Sequence, residues 1–239
     1  MNKLILSSAI LALSAGMAVA DGHSVVRMGT EGAYAPWNFL NDAGEVDGFE
    51  RELGDELCER ARLTCEWVTN EWDSIIPNLV SGNYDTIIAG MSITAERDEV
   101  IDFTQAYTPP DPSAYLAMSA DVDVAAGVVA AQTATIQAGF VAEQGWTLVE
   151  FATPEETIAA VRNGEADAVL ADKSFLDTFA GTDGLVMLER MEQIGGGVGM
   201  GIRESDGELR ETFNAAIQSM KDDGTLNALI AKWEVSSQW

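Results

Sequence analysis

Two breaks interrupt an otherwise regular alternation of strand and helix patterns in this chain. The first is Tyr107-Thr108-Pro109-Pro110-Asp111-Pro112, which cannot continue a helix or a central strand because proline lacks the backbone N–H and fixes φ. The second is the cluster Gly195, Gly196, Gly197 and Gly199. Before the first break, residues 25–29 read as a strand. Phe49, Leu53, Leu57 and Ala61 recur at helical spacing and predict a helix over 49–62. Residues 65–69 read as a strand and 72–80 as a short helix stopped by Ser81-Gly82. Residues 84–89 form a strand apolar on both faces, as a strand covered by helices must be. Between the breaks the pattern restarts, with strands over 125–131, 147–151 and 167–171 and helices over 135–143, 154–163 and 173–180. Pro154 opens the second of these helices and Asn163-Gly164 closes it. Helices over 208–221 and 225–233 follow the second break, parted at Asp223-Gly224. Alternation with short turns predicts an α/β fold. The glycines could form a plain loop, but two breaks around a self-contained α/β unit predict an inserted lobe, with the C-terminus returning to the first.

The N-terminus sets the compartment. Lys3, the apolar run from Leu4 to Ala15 and the small residues Ala18-Val19-Ala20 have the form of a secretory leader cleaved after Ala20. The run is too short to span a bilayer. No cysteine follows it to carry a lipid, so a freely diffusing protein is expected. Export places Cys58 and Cys65 in an oxidising space, where a disulfide would clip the 49–62 helix to the next strand, stabilising by about 2–3 kcal/mol. A metal site would need further ligands, and the only histidine is His23, close to the expected new terminus. The net charge of −26 repels nucleic acid and anionic lipid, so neither is an expected partner.

In open α/β sheets, ligands bind beyond the carboxyl ends of strands. Here those tips are Thr30-Glu31-Gly32 with Tyr34 and Trp37 beyond, Ala89-Gly90-Met91-Ser92, Gln132 with Thr135, and Asp172. They would face one another across a cleft between the lobes. Arg97 follows the N-cap candidate Thr94, where Glu would be the favoured residue and a cation opposes the helix dipole. It is either a carboxylate fork or a solvated partner of Glu96 or Asp98. Asp172 could accept an ammonium or cap the 173–180 helix. Thr135 could present its hydroxyl and nearby N–H groups to a carboxylate, or serve only as a cap. Tyr34, Trp37 and Trp72 lie outside obvious core spacing and, with Glu31, would suit a cationic side chain. The chain has no nucleophile elbow, phosphate loop or His/Cys cluster, and its glycine run lacks the strand-to-helix setting of a dinucleotide site.

These residues resemble the bacterial extracellular solute-binding family for polar amino acids, over essentially all of residues 25–234. The resemblance is carried by Gly29-Thr30-Glu31-Gly32-Ala33-Tyr34-Ala35-Pro36-Trp37, Gly48-Phe49-Glu50, Trp72-Asp73-Ser74-Ile75-Ile76-Pro77 and Tyr84-Asp85. Met91-Ser92-Ile93-Thr94-Ala95-Glu96-Arg97, Gly164-Glu165-Ala166-Asp167-Ala168 and Asp223-Gly224-Thr225 add to it. It implies a two-lobed type II periplasmic-binding-protein fold, with a leader at 1–20, lobe 1 from 21–108 plus 198–239, and lobe 2 from 109–197, joined by two crossovers. It further implies a periplasmic monomer that feeds an ABC transporter permease in the inner membrane, without cofactor or catalysis. The Cys58/Cys65 spacing matches the bridge of histidine- and lysine/arginine/ornithine-binding members. By position, Arg97 would grip the ligand carboxylate, helped by the Thr135 region. Asp172 and carbonyls near Gly90 and Ser92 would take the α-ammonium. Tyr34 and Trp72 would sandwich the side chain, with Glu31 at its far end.

Departures matter too. Histidine-type relatives carry two serines where this chain has Ala89 and Gly90, whereas the segment 30–39 resembles opine binders. Relatives often have Gly and Thr where this chain has Ala134 and Ile136. The ligand expected is therefore a cationic, arginine-like amino acid or an opine, the alternatives being a neutral or acidic amino acid or an ectoine-like solute. The fold also resembles that of a cyclohexadienyl dehydratase, in which Glu31 or Asp172 could serve as a general acid.

Overall fold

The computed structural model describes residues 25–239; the expected leader with its cleavage point, and His23, lie outside the described residues. The elements run β1 (Val26–Thr30), β2 (Ala33–Tyr34), β3 (Asn38–Leu40), β4 (Val46–Asp47), α1 (Phe49–Ala61), β5 (Cys65–Thr69), a 3₁₀ turn (Trp72–Ser74) leading into α2 (Ile75–Val80), β6 (Thr86–Ile87), α3 (Ala95–Asp98) and β7 (Asp102–Phe103). Then come β8 (Ser113–Ala117), β9 (Val128–Gln132), α4 (Ile136–Glu143), β10 (Thr147–Phe151), α5 (Pro154–Asn163), β11 (Ala168–Asp172), α6 (Lys173–Asp177) and β12 (Val186–Glu192). The chain ends with β13 (Gly201–Ile202), α7 (Gly207–Asp223) and α8 (Thr225–Trp233).

Two mixed sheets result, ordered β5-β1-β6-β13-β7 and β10-β9-β11-β8-β12, with a small β2-β3-β4 meander beside the first. Within the first sheet β1 runs parallel to β5 and β6, while β13 is antiparallel to β6 and β7. In the second, β9 is parallel to β10 and β11, and β8 lies antiparallel between β11 and β12. Each sheet is covered on both faces. On the first, α1, α7 and α8 bury Phe49, Leu53, Leu57, Phe213, Ile217, Leu226 and Ile230 on one side. On the other, Ile75, Leu79, Ile87 and Ile101 close the core. Burying each such side chain contributes about 1.5–3 kcal/mol. The second sheet packs Ile158, Val161, Phe175 and Leu176 on one face, and Tyr115, Val141 and Leu188 on the other. These are the two lobes expected of the α/β alternation.

The local signals have visible causes. Thr153 and Glu156 form a reciprocal capping box with Pro154 in the first turn, and Gly164 ends α5 in the left-handed conformation. Cys58 and Cys65 form a disulfide, Cα–Cα 6.3 Å, that joins the end of α1 to the start of β5. The two crossovers run side by side, since Val198 bridges both Thr108 and Ser92. The glycine run is what lets them touch: a Cβ on Gly197 would lie 2.6 Å from the Thr108 carbonyl oxygen.

Several expected elements shift. The strand expected over 84–89 keeps only Thr86–Ile87 in register, because Ala89-Gly90 turns away where the Gly90 N–H leaves the sheet to meet Glu50. The strand expected from residue 125 starts at Val128, because Ala125, Ala126 and Gly127 all turn back onto Asp123. The helix expected over 173–180 ends at Asp177 and continues as turns. Two strands without a sequence expectation, β8 and β12, complete the second sheet; β8 is buried along its whole length.

Candidate functional site

The tips of β1, β6, β9 and β11 converge between the lobes, and their loops leave about 350 Å³ of space between them, part of it open to solvent. Glu31, Tyr34, Trp72, Ala89, Gly90, Ser92 and Arg97 line it from one side, and Gln132, Thr135, Ile136, Gln137 and Asp172 from the other. Two residues expected in the lining stand behind it instead. Trp37 is 1% exposed and packs edge-on against Phe49, with its indole N–H donating to Ser174 Oγ at 2.8 Å. Met91 is fully buried in the core with Ile75, Leu79 and Ile101, behind the turn at Ala89-Gly90. Ile136, noted above as a departure from relatives, enters the lining, and so does Gln137, for which there was no expectation. Their signal was the start of a helix after a strand tip, which points only to backbone amides.

Arg97 sits in a four-residue helical turn whose N-cap, Thr94, accepts the Arg97 N–H. The guanidinium lies 5.3 Å from the centroid of the Trp72 ring and donates to the carbonyls of Ser92 (2.9 Å) and Ala134 (3.4 Å). Burial lowers its pKa to about 10, and it pairs with neither Glu96 nor Asp98 among the described ion pairs. It is therefore a partly buried cation held by neutral acceptors. The Ser92 carbonyl, expected to face an ammonium, is occupied by this contact.

Asp172 makes no capping bond to α6. Its carboxylate accepts the Tyr34 hydroxyl at 3.0 Å and the Gln137 amide at 2.8 Å. Burial, followed by repulsion from Asp111, raises its pKa to about 7. Glu31 accepts from Gln132 Nε2 at 2.6 Å, and burial raises its pKa to about 7 as well. Thr135 does cap α4: its hydroxyl accepts the Ala138 N–H and donates to the Gln132 carbonyl. This leaves the amides of Ile136 and Gln137 without a partner among the described residues, as the first N–H groups of a helix are. Tyr34 stacks one face on Phe175 at 4.4 Å and 8°, and Trp72 donates its indole N–H to the Ala134 carbonyl at 3.3 Å.

Chemically, the cleft gathers two carboxyl groups and one guanidinium, all partly buried, in a narrow space. A buried charge is costly unless partnered. The set therefore complements a molecule carrying two cationic groups and one anionic group. Ala89 and Gly90 add carbonyls that accept no hydrogen bond from the protein among the described residues.

Comparison with known proteins gives a consistent picture. Residues 26–236 match the family described as bacterial extracellular solute-binding proteins, family 3. The octopine-binding periplasmic protein of Rhizobium meliloti is 30% identical over 97% of this chain and 96% of its own. The histidine-binding periplasmic protein of Escherichia coli (strain K12) is 31% identical over 98% and 97%. A solved structure, a periplasmic His/Glu/Gln/Arg/opine family-binding protein from Silicibacter pomeroyi in complex with lysine, is 70% identical. It superimposes with a TM-score of 0.87, covering 90% of this chain and all of its own.

Proposed function

The chain belongs to family 3 of the bacterial extracellular solute-binding proteins, and from that premise we propose that it captures a cationic L-amino acid of the lysine or arginine type in the periplasm. It would deliver this ligand to the membrane permease of an ABC importer. The observation that carries the ligand class is the charge set of the cavity: Glu31 and Asp172 against the single cation Arg97. Arg97, with the open amides of Ile136 and Gln137, takes the α-carboxylate. Asp172 and the carbonyls of Ala89 and Gly90 take the α-ammonium. The side chain runs past Tyr34 and Trp72 to place its cation at Glu31. Lysine in the 70% identical relative supports this assignment. The lobe boundaries fall at 108/109 and 197/198, where the crossovers meet. The lobes close over the ligand as a hinge.

The test is calorimetric titration of the ligand-stripped protein with lysine, arginine, ornithine, octopine, glutamine and glutamate. Binding of the cationic compounds, with proton release near pH 7 as Glu31 and Asp172 ionise against the ligand, is the expected result. Glutamate binding as tightly as lysine would sink the charge-matching reading while leaving the family intact. Carboxyl groups titrating near 7 are also what a dehydratase needs as proton donors. Aromatic product from arogenate or prephenate would establish that reading; the relatives, named as binding proteins, favour capture.

A further inference from the structure

Glu50 lies in the first turn of α1 and is fully buried. It makes no capping bond to that helix and no ion pair among the described residues. Its oxygens turn elsewhere. One accepts the Gly90 N–H at 2.6 Å and the hydroxyl of Tyr107, and the other accepts Asn38 Nδ2 at 2.7 Å. Asn38, also fully buried, accepts the Gly32 N–H at 2.7 Å. One carboxyl group thus ties together the residue beside Glu31, the residue beside Ala89, and the residue preceding Thr108 at the first crossover.

The consequence lies in the peptide bond between Ala89 and Gly90. A trans peptide is planar, so the Ala89 carbonyl points opposite to the Gly90 N–H. Fixing that N–H on Glu50 fixes the carbonyl as well, and both residues line the cavity. Gly90 holds φ +61, a left-handed turn that glycine adopts without strain. Burying a carboxyl group without a cation is unfavourable for folding, and nothing in the packing of α1 requires an acid there. We propose that Glu50 is a positioning residue, which aims the Ala89 carbonyl into the cleft as an acceptor for the ligand's α-ammonium. The inference rests on the amino-acid reading above.

The discriminating pair of probes is L-lysine and 6-aminohexanoate, which keeps the carboxylate and the distal cation but lacks the α-ammonium. Glu50→Met matches the side-chain length and removes both acceptor oxygens. It is expected to weaken lysine at least tenfold and 6-aminohexanoate less than threefold. Equal weakening of both, or no weakening of lysine, overturns the proposal. Should that variant not fold, Glu50→Gln is measured in the same way, since its amide sets a donor against Asn38 or against Gly90 and Tyr107. The Gly90 amide proton gives a readout independent of any ligand. The short bond to Glu50 should place its resonance downfield in the wild type and move it upfield when Glu50 is replaced, and an unmoved resonance refutes the positioning role. A wild-type protein indifferent to lysine would count against the ligand class instead.

Discussion

Arg97→Ala should separate binding from stability. The guanidinium is buried against Trp72 and two carbonyls, with no carboxylate partner among the described residues, and its pKa falls from 12.5 to about 10. The shift is downward, so folding disfavours the charged form. At pH 7, far below both values, the side chain stays charged and the penalty applies in full, at most roughly 3 kcal/mol. Removing the group relieves that penalty and loses two hydrogen bonds worth about 1 kcal/mol each. Urea unfolding of the ligand-free variant should therefore give a free energy unchanged or raised by about 1–2 kcal/mol. Lysine binding should fall by about 2–5 kcal/mol, a loss of roughly 30-fold to 5,000-fold, because the carboxylate would be left without its partner. Measuring both on one preparation decides the matter. A variant clearly less stable than wild type, yet binding lysine within threefold of it, would refute the reasoning.

Other outcomes follow from single features. Folding raises the pKa of Asp172 from 3.8 and of Glu31 from 4.5, each to about 7. Their contribution to stability is complete below about pH 4 and is lost as pH rises through 7. The ligand-free melting midpoint should therefore fall between pH 5 and 8, and fall less in an Asp172→Asn, Glu31→Gln double variant; equal slopes would contradict the assignment. Ala134 holds φ 56 without being glycine. Ala134→Gly should leave stability within about 1 kcal/mol of wild type or raise it, the strain relieved offsetting the added freedom of the unfolded chain, and a loss above 1 kcal/mol in denaturant unfolding would count against strain. Replacing Cys58 and Cys65 by Ser should cost about 2–3 kcal/mol of unfolding free energy, with lysine affinity unchanged because the bridge lies at the far end of α1. A calorimetric loss of affinity would link it to the cleft.

What was legible in the sequence is what local chemistry decides. The α1 stripe, the opening of α5 at Pro154 and its closing Gly164 are specified within a few residues, and they appear as read. Strand β8 escaped because it follows a proline cluster and is buried on both faces, so it carries no alternation. The cleft residues were found from strand tips and charge, yet two kinds of error arose there. Trp37 looked free because its neighbours are loop residues, whereas long-range packing on Phe49 and a bond to Ser174 place it inside. Glu50 was visible only as part of a motif. Its partners Gly90 and Tyr107 are distant in sequence, and no periodicity relates them to it.

The same long-range contacts explain why a ligand would be needed to hold the lobes firmly shut. The lobes touch directly through Tyr34 and Asp172, Glu31 and Gln132, Trp37 and Ser174, and Trp72 and Ala134. A net hydrogen bond contributes only about 0.5–1.5 kcal/mol once water is displaced. Against these few bonds stands the burial of Arg97, Glu31 and Asp172 without opposite charges in contact. On the proposed reading these opposing contributions nearly cancel, so the ligand-free lobes would be held shut only marginally. A ligand shifts such an equilibrium only by its differential affinity for the closed state. Lysine has that difference built in, since its carboxylate and two ammonium groups find their partners only when residues of both lobes surround it. Glutamate would bring a second anion to Glu31 and make closure dearer. Selectivity and closure would then have one physical origin, the uncompensated charge of the cleft.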